Sequence, residues 1–345
     1  MLSRVRWKLR QLARQFRNRL AQHALILMYH RVSDLSNDPH LMAVSPQHFA
    51  EQMEVICKHY SPLSLNQLVE ALQAGEIPRR AVALTFDDGY VDNLYQAKPV
   101  LERYGIPATV FVTAGQVGSK REFWWDELDR ILLQPGSLPD KLHLKMNGNV
   151  YEWLMADTAL YTEENFQRGR NWHVECKEDP NQRQHIFRNL YGRLRSLPFP
   201  AQQKILDDLQ SWACVEGVAR PTHRALSFDE LILLEKGGLI QIGAHTITHP
   251  DLATLPAAEQ RNEIEKGREF LEAILEHPVT NFAYPYGSSN LETITILRDL
   301  NFLCACSSDP DAVWRDANRF ALPRVVVRDW EGKTFERWLR WWVGR

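Results

Sequence analysis

Four short apolar runs end in residues that can bind a metal, move a proton or donate a hydrogen bond. His30 follows Leu-Ile-Leu-Met-Tyr, and Asp87 and Asp88 follow Ala-Leu-Thr-Phe. His245 follows Ile-Gln-Ile-Gly-Ala, and Tyr284 ends Asn-Phe-Ala-Tyr. His245 and His249 stand four apart, so both imidazoles can face one ion from a single helical turn. A histidine pair at that spacing is by itself more often a surface feature. Asp87-Asp88-Gly89 by itself is more often a turn. Together they supply two neutral nitrogens and a carboxylate, the donor set of an open site for a divalent transition metal. Such a metal lowers the pKa of a water toward neutrality. The second carboxylate of the pair is then free to serve as general base.

These residues converge only if the runs are parallel strands of one sheet, whose carboxyl ends share a mouth. The pattern along the chain agrees. Strands are expected at 24–29, 81–86, 108–113, 239–243, 281–284, 302–306 and 324–327. Between them lie helical patterns: one opened by Ser45-Pro46, one at 64–74 stopped by Gly75, and others at 93–104, 256–276 and 291–301. Ser227 with Glu230 forms a capping box for one more. About seven strands alternating with helices imply an α/β fold, a seven-stranded distorted (β/α) barrel. The alternation stops from 116 to 224, which reads as a partly helical insertion with a helix near 202–212. The expected organisation is a basic N-terminal helix (1–23), a first barrel part (24–115), the insertion, a second barrel part (225–328) and a Trp/Arg-rich end (329–345).

Thr85-Phe86-Asp87-Asp88-Gly89, His245-Thr246-Ile247-Thr248-His249-Pro250 and Tyr284-Pro285-Tyr286-Gly287 resemble, in order and spacing, the polysaccharide deacetylases of the NodB-homology type (carbohydrate esterase family 4). The resemblance covers about 24–115 and 225–328. It implies hydrolysis of N-acetyl groups on sugars with zinc, or cobalt or nickel, as cofactor. It makes Asp87 the general base and Asp88, His245 and His249 the metal ligands. It makes Tyr284, Pro285, Tyr286 and Gly287 the wall of the groove, with a backbone N–H for the oxyanion. Two positions depart from the family pattern. The Arg that opens the Pro-Tyr-Gly motif is Ala283 here, and the late Leu-x-His reads Leu322-Pro323-Arg324. No histidine follows His277. Met28-Tyr29-His30-Arg31-Val32 resembles a rearranged subgroup, including poly-N-acetylglucosamine deacetylases, in which an early Tyr-His supplies the acid. That makes His30 the general acid, and Arg324 becomes the candidate for the missing Arg beside Asp87. A histidine suits the role because imidazole titrates near working pH.

Trp124 and Trp125, in the insertion, offer ring faces for stacking on a sugar, or else form the insertion's own core. The chain has 41 basic and 43 acidic residues, net −2, which gives no basic excess for nucleic acid. Five cysteines at irregular spacing read as reduced thiols. Residues 1–20 carry seven Arg and Lys and no acid, with apolar residues at helical spacing. Residues 335–345 repeat the theme with Trp338, Trp341 and Trp342 among arginines. Both ends suit an anionic membrane surface, or pack on the body as solvated helices. With no signal-peptide pattern, the expectation is a cytoplasmic protein at the inner face of the membrane. The leading function is N-deacetylation of an amino sugar in a surface polysaccharide or its lipid-linked precursor. The rival is a catalytically degenerate protein on the same barrel that binds glycan or a membrane surface. A glycosidase would need two carboxyls facing across a bond and leaves the histidines without a task.

Overall fold

A computed structural model describes residues 22–343. The N-terminal basic segment, expected to be helical, lies outside them. The described chain divides into two compact units. Unit 1 comprises residues through Asp34, Ala43–Val117 and Phe228 onward; unit 2 comprises Leu35–Met42 and Gly118–Ser227. The segment Leu35–Met42, which sequence pattern assigned to the barrel, thus folds with unit 2.

Unit 1 is built on one nine-stranded sheet. In chain order its strands are β1 (His23–Tyr29), β2 (Ser61–Leu63), β3 (Ala81–Phe86), β4 (Ala108–Val112), β5 (Ile240–Ala244), β6 (Asn281–Ala283), β7 (Cys304–Cys306), β8 (Val313–Trp314) and β9 (Val325–Val326). The main path runs β7-β6-β5-β4-β3-β1-β8, with β2 on β3 and β9 on β1. Every pairing is parallel except β1 with β8. β1, β3 and β4 are buried at every residue, as strands covered on both faces must be, which is why they read as unbroken apolar runs. The fold is a curled, distorted (β/α) barrel. Leu322 bridges Cys306 of β7, and three residues later Val325 pairs with Leu27 of β1. One short segment therefore ties the two ends of the curl together. A buried cluster fills the interior, joining Ile26, Ala83, Phe111 and Cys306 to Leu65, Leu68, Val69 and Leu72 of the helix Leu65–Ala74.

The helices start and stop where local chemistry allows. Ser45 accepts from His48 N–H ahead of Pro46. Ser64 and Gln67 form a reciprocal capping box, and Gly75 ends that helix at φ 71°. The expected helix 93–104 is interrupted: Asn93–Ala97 is a π-type turn, and the α-helix runs only over Lys98–Tyr104. Pro99 has no N–H to give to Tyr95, and Lys98 N–H reaches back to Asn93 O instead.

The C-terminal helix Gly332–Val343 buries Phe335, Leu339 and Trp342. It packs on the helix Pro46–His59 and on β1. Part of its apolar face is thus spent on the protein body, while Trp338 and Trp341 stay half-buried. Among the described residues no helix is long and apolar enough to cross a membrane.

Unit 2 packs the helices Trp124–Leu132, Gln182–Leu194 and Phe199–Ala213 beside a hairpin, Lys141–Met146 with Asn149–Leu154. The hairpin turns at Asn147 and Gly148, both at positive φ, as a tight two-residue turn demands. Arg183, 1% exposed, donates to the carbonyls of Leu132, Gln134, Gly136, Thr158 and Ala159.

Candidate active site

His30, Asp87, His245 and Tyr284 each stand just past a strand, and backbone hydrogen bonds carry the parallel ladder beyond the strand ends. Asp87 N–H donates to Tyr29 O (3.0 Å), and Thr113 N–H to Asp88 O (3.1 Å). His245 N–H donates to Val112 O (3.0 Å), and Tyr284 N–H to Cys306 O (3.1 Å). The mouth of the curl is thereby fixed by main-chain bonds before any side chain acts.

Asp88, His245 and His249 converge. Their ligand atoms all lie within 4.8 Å of one another, and all three residues are buried. His249 Nε2 is 3.4 Å and His245 Nε2 3.7 Å from Asp88 Oδ1. Tetrahedral bonds of about 2.1 Å separate neighbouring ligand atoms by about 3.4 Å, so the donor set fits a small divalent transition metal. His245 Nδ1 lies 2.8 Å from Ala283 O. A carbonyl only accepts, so Nδ1 carries the proton and Nε2 keeps its lone pair toward Asp88. Burial lowers the His245 pKa, and Asp87 restores only part of it, leaving about 4. The ring is therefore neutral at pH 7, as a ligand must be.

Asp87 faces a different partner. Arg324 Nη1 donates to Asp87 Oδ1 at 2.6 Å and Nη2 to Oδ2 at 2.7 Å, a two-pronged pair. Arg324 also donates through Nε to Ser307 O and through Nη1 to Thr85 Oγ1. It is 1% exposed and Asp87 4%. The segment that closes the curl explains the approach: Leu322 is held to β7 and Val325 to β1, with Arg324 between them. Burial pushes the Asp87 carboxyl up, but Arg324 and then His245 pull it down further, to about 2. Burial also works against ionised Asp88, but His249, His30 and His245 together outweigh it, so its pKa is lowered. His30 is half-buried, and its charge acts on both aspartates.

The Tyr284–Gly287 stretch divides. Tyr284 and Pro285 are buried, and the Tyr284 hydroxyl donates to Phe320 O at 2.6 Å. Tyr284 thus braces the strand end and does not offer its hydroxyl to a groove. Tyr286 and Gly287 are half-buried. The Tyr286 ring meets His249 edge-on, centroids 4.7 Å apart. Tyr286 and Gly287 both have positive φ, 58° and 69°. A Cβ on residue 287 would stand 1.8 Å from Ser308 Oγ and 2.7 Å from Ser308 N. Gly287→Ala is therefore expected to destabilise the fold by about 1–3 kcal/mol, read as a lowered midpoint in urea unfolding.

Trp124 and Trp125 belong to unit 2. Both are buried. Trp125 stacks on Phe123 (4.8 Å, 12°) and Trp124 on Tyr191 (5.0 Å, 28°). These rings form the core of their unit and hold no open face there for a sugar. Glu263, which sequence reading left in a polar helix, accepts hydrogen bonds from Ile247 and Thr248. Only its place in the second turn of a helix facing the His-x3-His loop could have marked it.

Residues 74–137 and 220–305 match the polysaccharide deacetylase family. YxkH of Bacillus subtilis is 30% identical over 127 residues, 36% of this chain and 44% of that protein. The poly-beta-1,6-N-acetyl-D-glucosamine N-deacetylase of Staphylococcus epidermidis is 33% identical over 109 residues, 28% of this chain and 38% of that protein. The chain thus spans less than half the length of these curated relatives. The structure of IcaB from Ammonifex degensii shares the fold, with a TM-score of 0.58 at 19% identity over 94% of this chain and 98% of that one. The two matched stretches flank most of unit 2 and together carry a polysaccharide deacetylase domain.

Proposed function

We propose that the protein is a metal-dependent N-deacetylase acting on an N-acetylated amino sugar of a surface polysaccharide, or on its lipid-linked precursor. The observation that carries this is the Asp88–His245–His249 cluster directly beside the ionised, Arg-gripped Asp87. The relative named a poly-beta-1,6-N-acetyl-D-glucosamine N-deacetylase points to a β-1,6-linked N-acetylglucosamine chain as the first substrate to try. Asp88, His245 and His249 would hold the ion, zinc first and cobalt or nickel as alternatives. When bound, it supplies Lewis-acid polarisation and a water acidic enough to lose its proton near pH 7.

The chain's own residues do the rest. Asp87 takes the water's proton; Arg324 occupies two of its lone-pair directions and leaves two open. The backbone N–H of Tyr286 donates to the oxyanion of the tetrahedral intermediate. His30 gives a proton to the departing amine nitrogen. The absent motif Arg and the absent late His are the best support for a degenerate, non-catalytic reading. Arg324 in contact with Asp87 supplies the cation from another part of the chain and weakens that reading.

The test is elemental analysis of purified protein together with acetate release from poly-β-1,6-N-acetylglucosamine. Wild type is expected to hold about one metal per chain and to release acetate, and His245→Ala to lose both. Wild-type protein that stays metal-free after a zinc challenge would sink the proposal.

A further inference from the structure

The turn between His245 and His249 is an awkward piece of backbone. Thr246 and His249 both have positive φ, 63° and 61°, and Thr246 is β-branched. Such residues persist only where the surroundings over-determine them. Several neighbours do so. Ala114 N–H donates to Thr246 O (3.0 Å) and Gly115 N–H to Ile247 O (2.8 Å). A Cβ on Gly115 would stand 2.4 Å from that same oxygen. Thr246 Oγ1 accepts from His249 N–H at 3.0 Å.

The helix Ala257–Leu275 closes the other side. Gly267 lets it approach until a Cβ there would lie 2.7 Å from the Thr246 carbonyl carbon. One turn earlier, the Glu263 carboxylate gathers three donors: Ile247 N–H at 3.1 Å, Thr248 N–H at 2.9 Å and Thr248 Oγ1 at 2.7 Å. Among the described residues no backbone carbonyl accepts from these two adjacent N–H groups. The carboxylate is itself half-buried, a position that costs solvation unless donors compensate it.

We infer that Glu263 is a positioning residue that holds the His245–His249 turn in the geometry that binds metal. It touches neither substrate nor metal in this reading, which rests on the metal site proposed above. The three variants at this position separate geometry from charge. Glu263→Gln keeps an acceptor for both backbone N–H groups, and its amide can donate to the Thr248 hydroxyl. Glu263→Asp keeps the charge but withdraws it by one methylene. Glu263→Ala removes every contact.

The experiment measures Zn2+ affinity by competition with a chelator and the visible absorption of the Co2+-loaded protein. Glu263→Ala and Glu263→Asp are expected to bind zinc about 10–100-fold more weakly, with an altered cobalt spectrum, while Glu263→Gln stays within about threefold of wild type. If Glu263→Ala does not fold, the contrast between Asp and Gln carries the test. Zinc affinity of Glu263→Asp equal to wild type, or a loss in Glu263→Gln as large as in Glu263→Asp, would overturn the inference. Failure of wild type to bind zinc would instead overturn the metal site itself, and this inference with it.

Discussion

Arg324→Ala is expected to lower deacetylation by about two to three orders of magnitude while leaving the metal ligands in place. Two effects oppose each other in that variant. Arg324 holds Asp87 at about 2, well below the ordinary carboxylate value of about 3.9. Removing the cation raises the Asp87 pKa and makes it a stronger base. With a Brønsted slope near one half, a rise of about two units is worth about a tenfold gain. Against this stands orientation. Both Asp87 oxygens are fixed by Arg324, at 2.6 and 2.7 Å, and a misplacement of about 1 Å costs about 100-fold. Moreover, a carboxylate left buried without its partner drifts toward the neutral form, which removes the base altogether. Orientation and ionisation outweigh basicity, so the net change is a loss.

The pH profile gives the sign. A base with a raised pKa is protonated at higher pH, so the acid limb of the kcat/KM profile moves upward in Arg324→Ala. Breaking a buried pair also costs about 3–5 kcal/mol of stability, so rates should be compared well below the variant's unfolding transition. Arg324→Lys separates charge from geometry. It keeps the cation but not the two-pronged grip, and should restore part of the stability and little of the rate. Normal activity in Arg324→Ala would remove Arg324 from the mechanism.

The reach of sequence reading followed the range of the forces involved. β1, β3 and β4 were legible because burial on both faces leaves an uninterrupted apolar run. Caps at Ser45, Ser64 and Gly75 were legible because they act within four residues. β2 and β8 were not: three and two residues carry no period, and β2 contains Pro62. The hairpin at 141–154 had a readable signal, Asn147-Gly148 between alternating residues, within a stretch that otherwise looked irregular. Leu35–Met42 carries no pattern that reveals which unit it joins; Asn37, which donates to Asp129 at 2.7 Å, ties it in through a contact 92 residues away. Among the site residues, strand ends marked His30, Asp87 and His245. Arg324 could be suspected because a cation was missing elsewhere, but its route to Asp87 depends on Leu322 and Val325 gripping opposite ends of the sheet. Glu263 was hidden by its setting, since a carboxylate in a polar helix looks like any solvated one. The same distinction explains Trp124 and Trp125: an aromatic pair has one sequence signature whether it faces a sugar or another ring.

His30 carries the second large effect. His30→Ala is expected to reduce hydrolysis of the N-acetyl sugar about 10²–10⁴-fold, the usual contribution of a general acid. The position is well prepared for that task. Asn93 Nδ2 donates to His30 O at 2.9 Å. Its chain neighbours are clamped by Asp92, which accepts from Arg31 Nε and from Val32 N–H, each at 3.0 Å. Loss of the imidazole therefore leaves a backbone that other bonds hold. The test lies in the leaving group. An amine must take a proton before the C–N bond breaks, because its anion is far too basic to depart. A nitrophenolate needs none. On p-nitrophenyl acetate, His30→Ala should lose about tenfold or less, whereas it loses two or more orders on the amide. Measuring kcat/KM for both substrates in wild type and variant gives the answer directly. If ester and amide fall by the same factor, His30 acts on a step common to both, such as binding or attack by water. The proton for the amine must then come from another group at the mouth of the barrel.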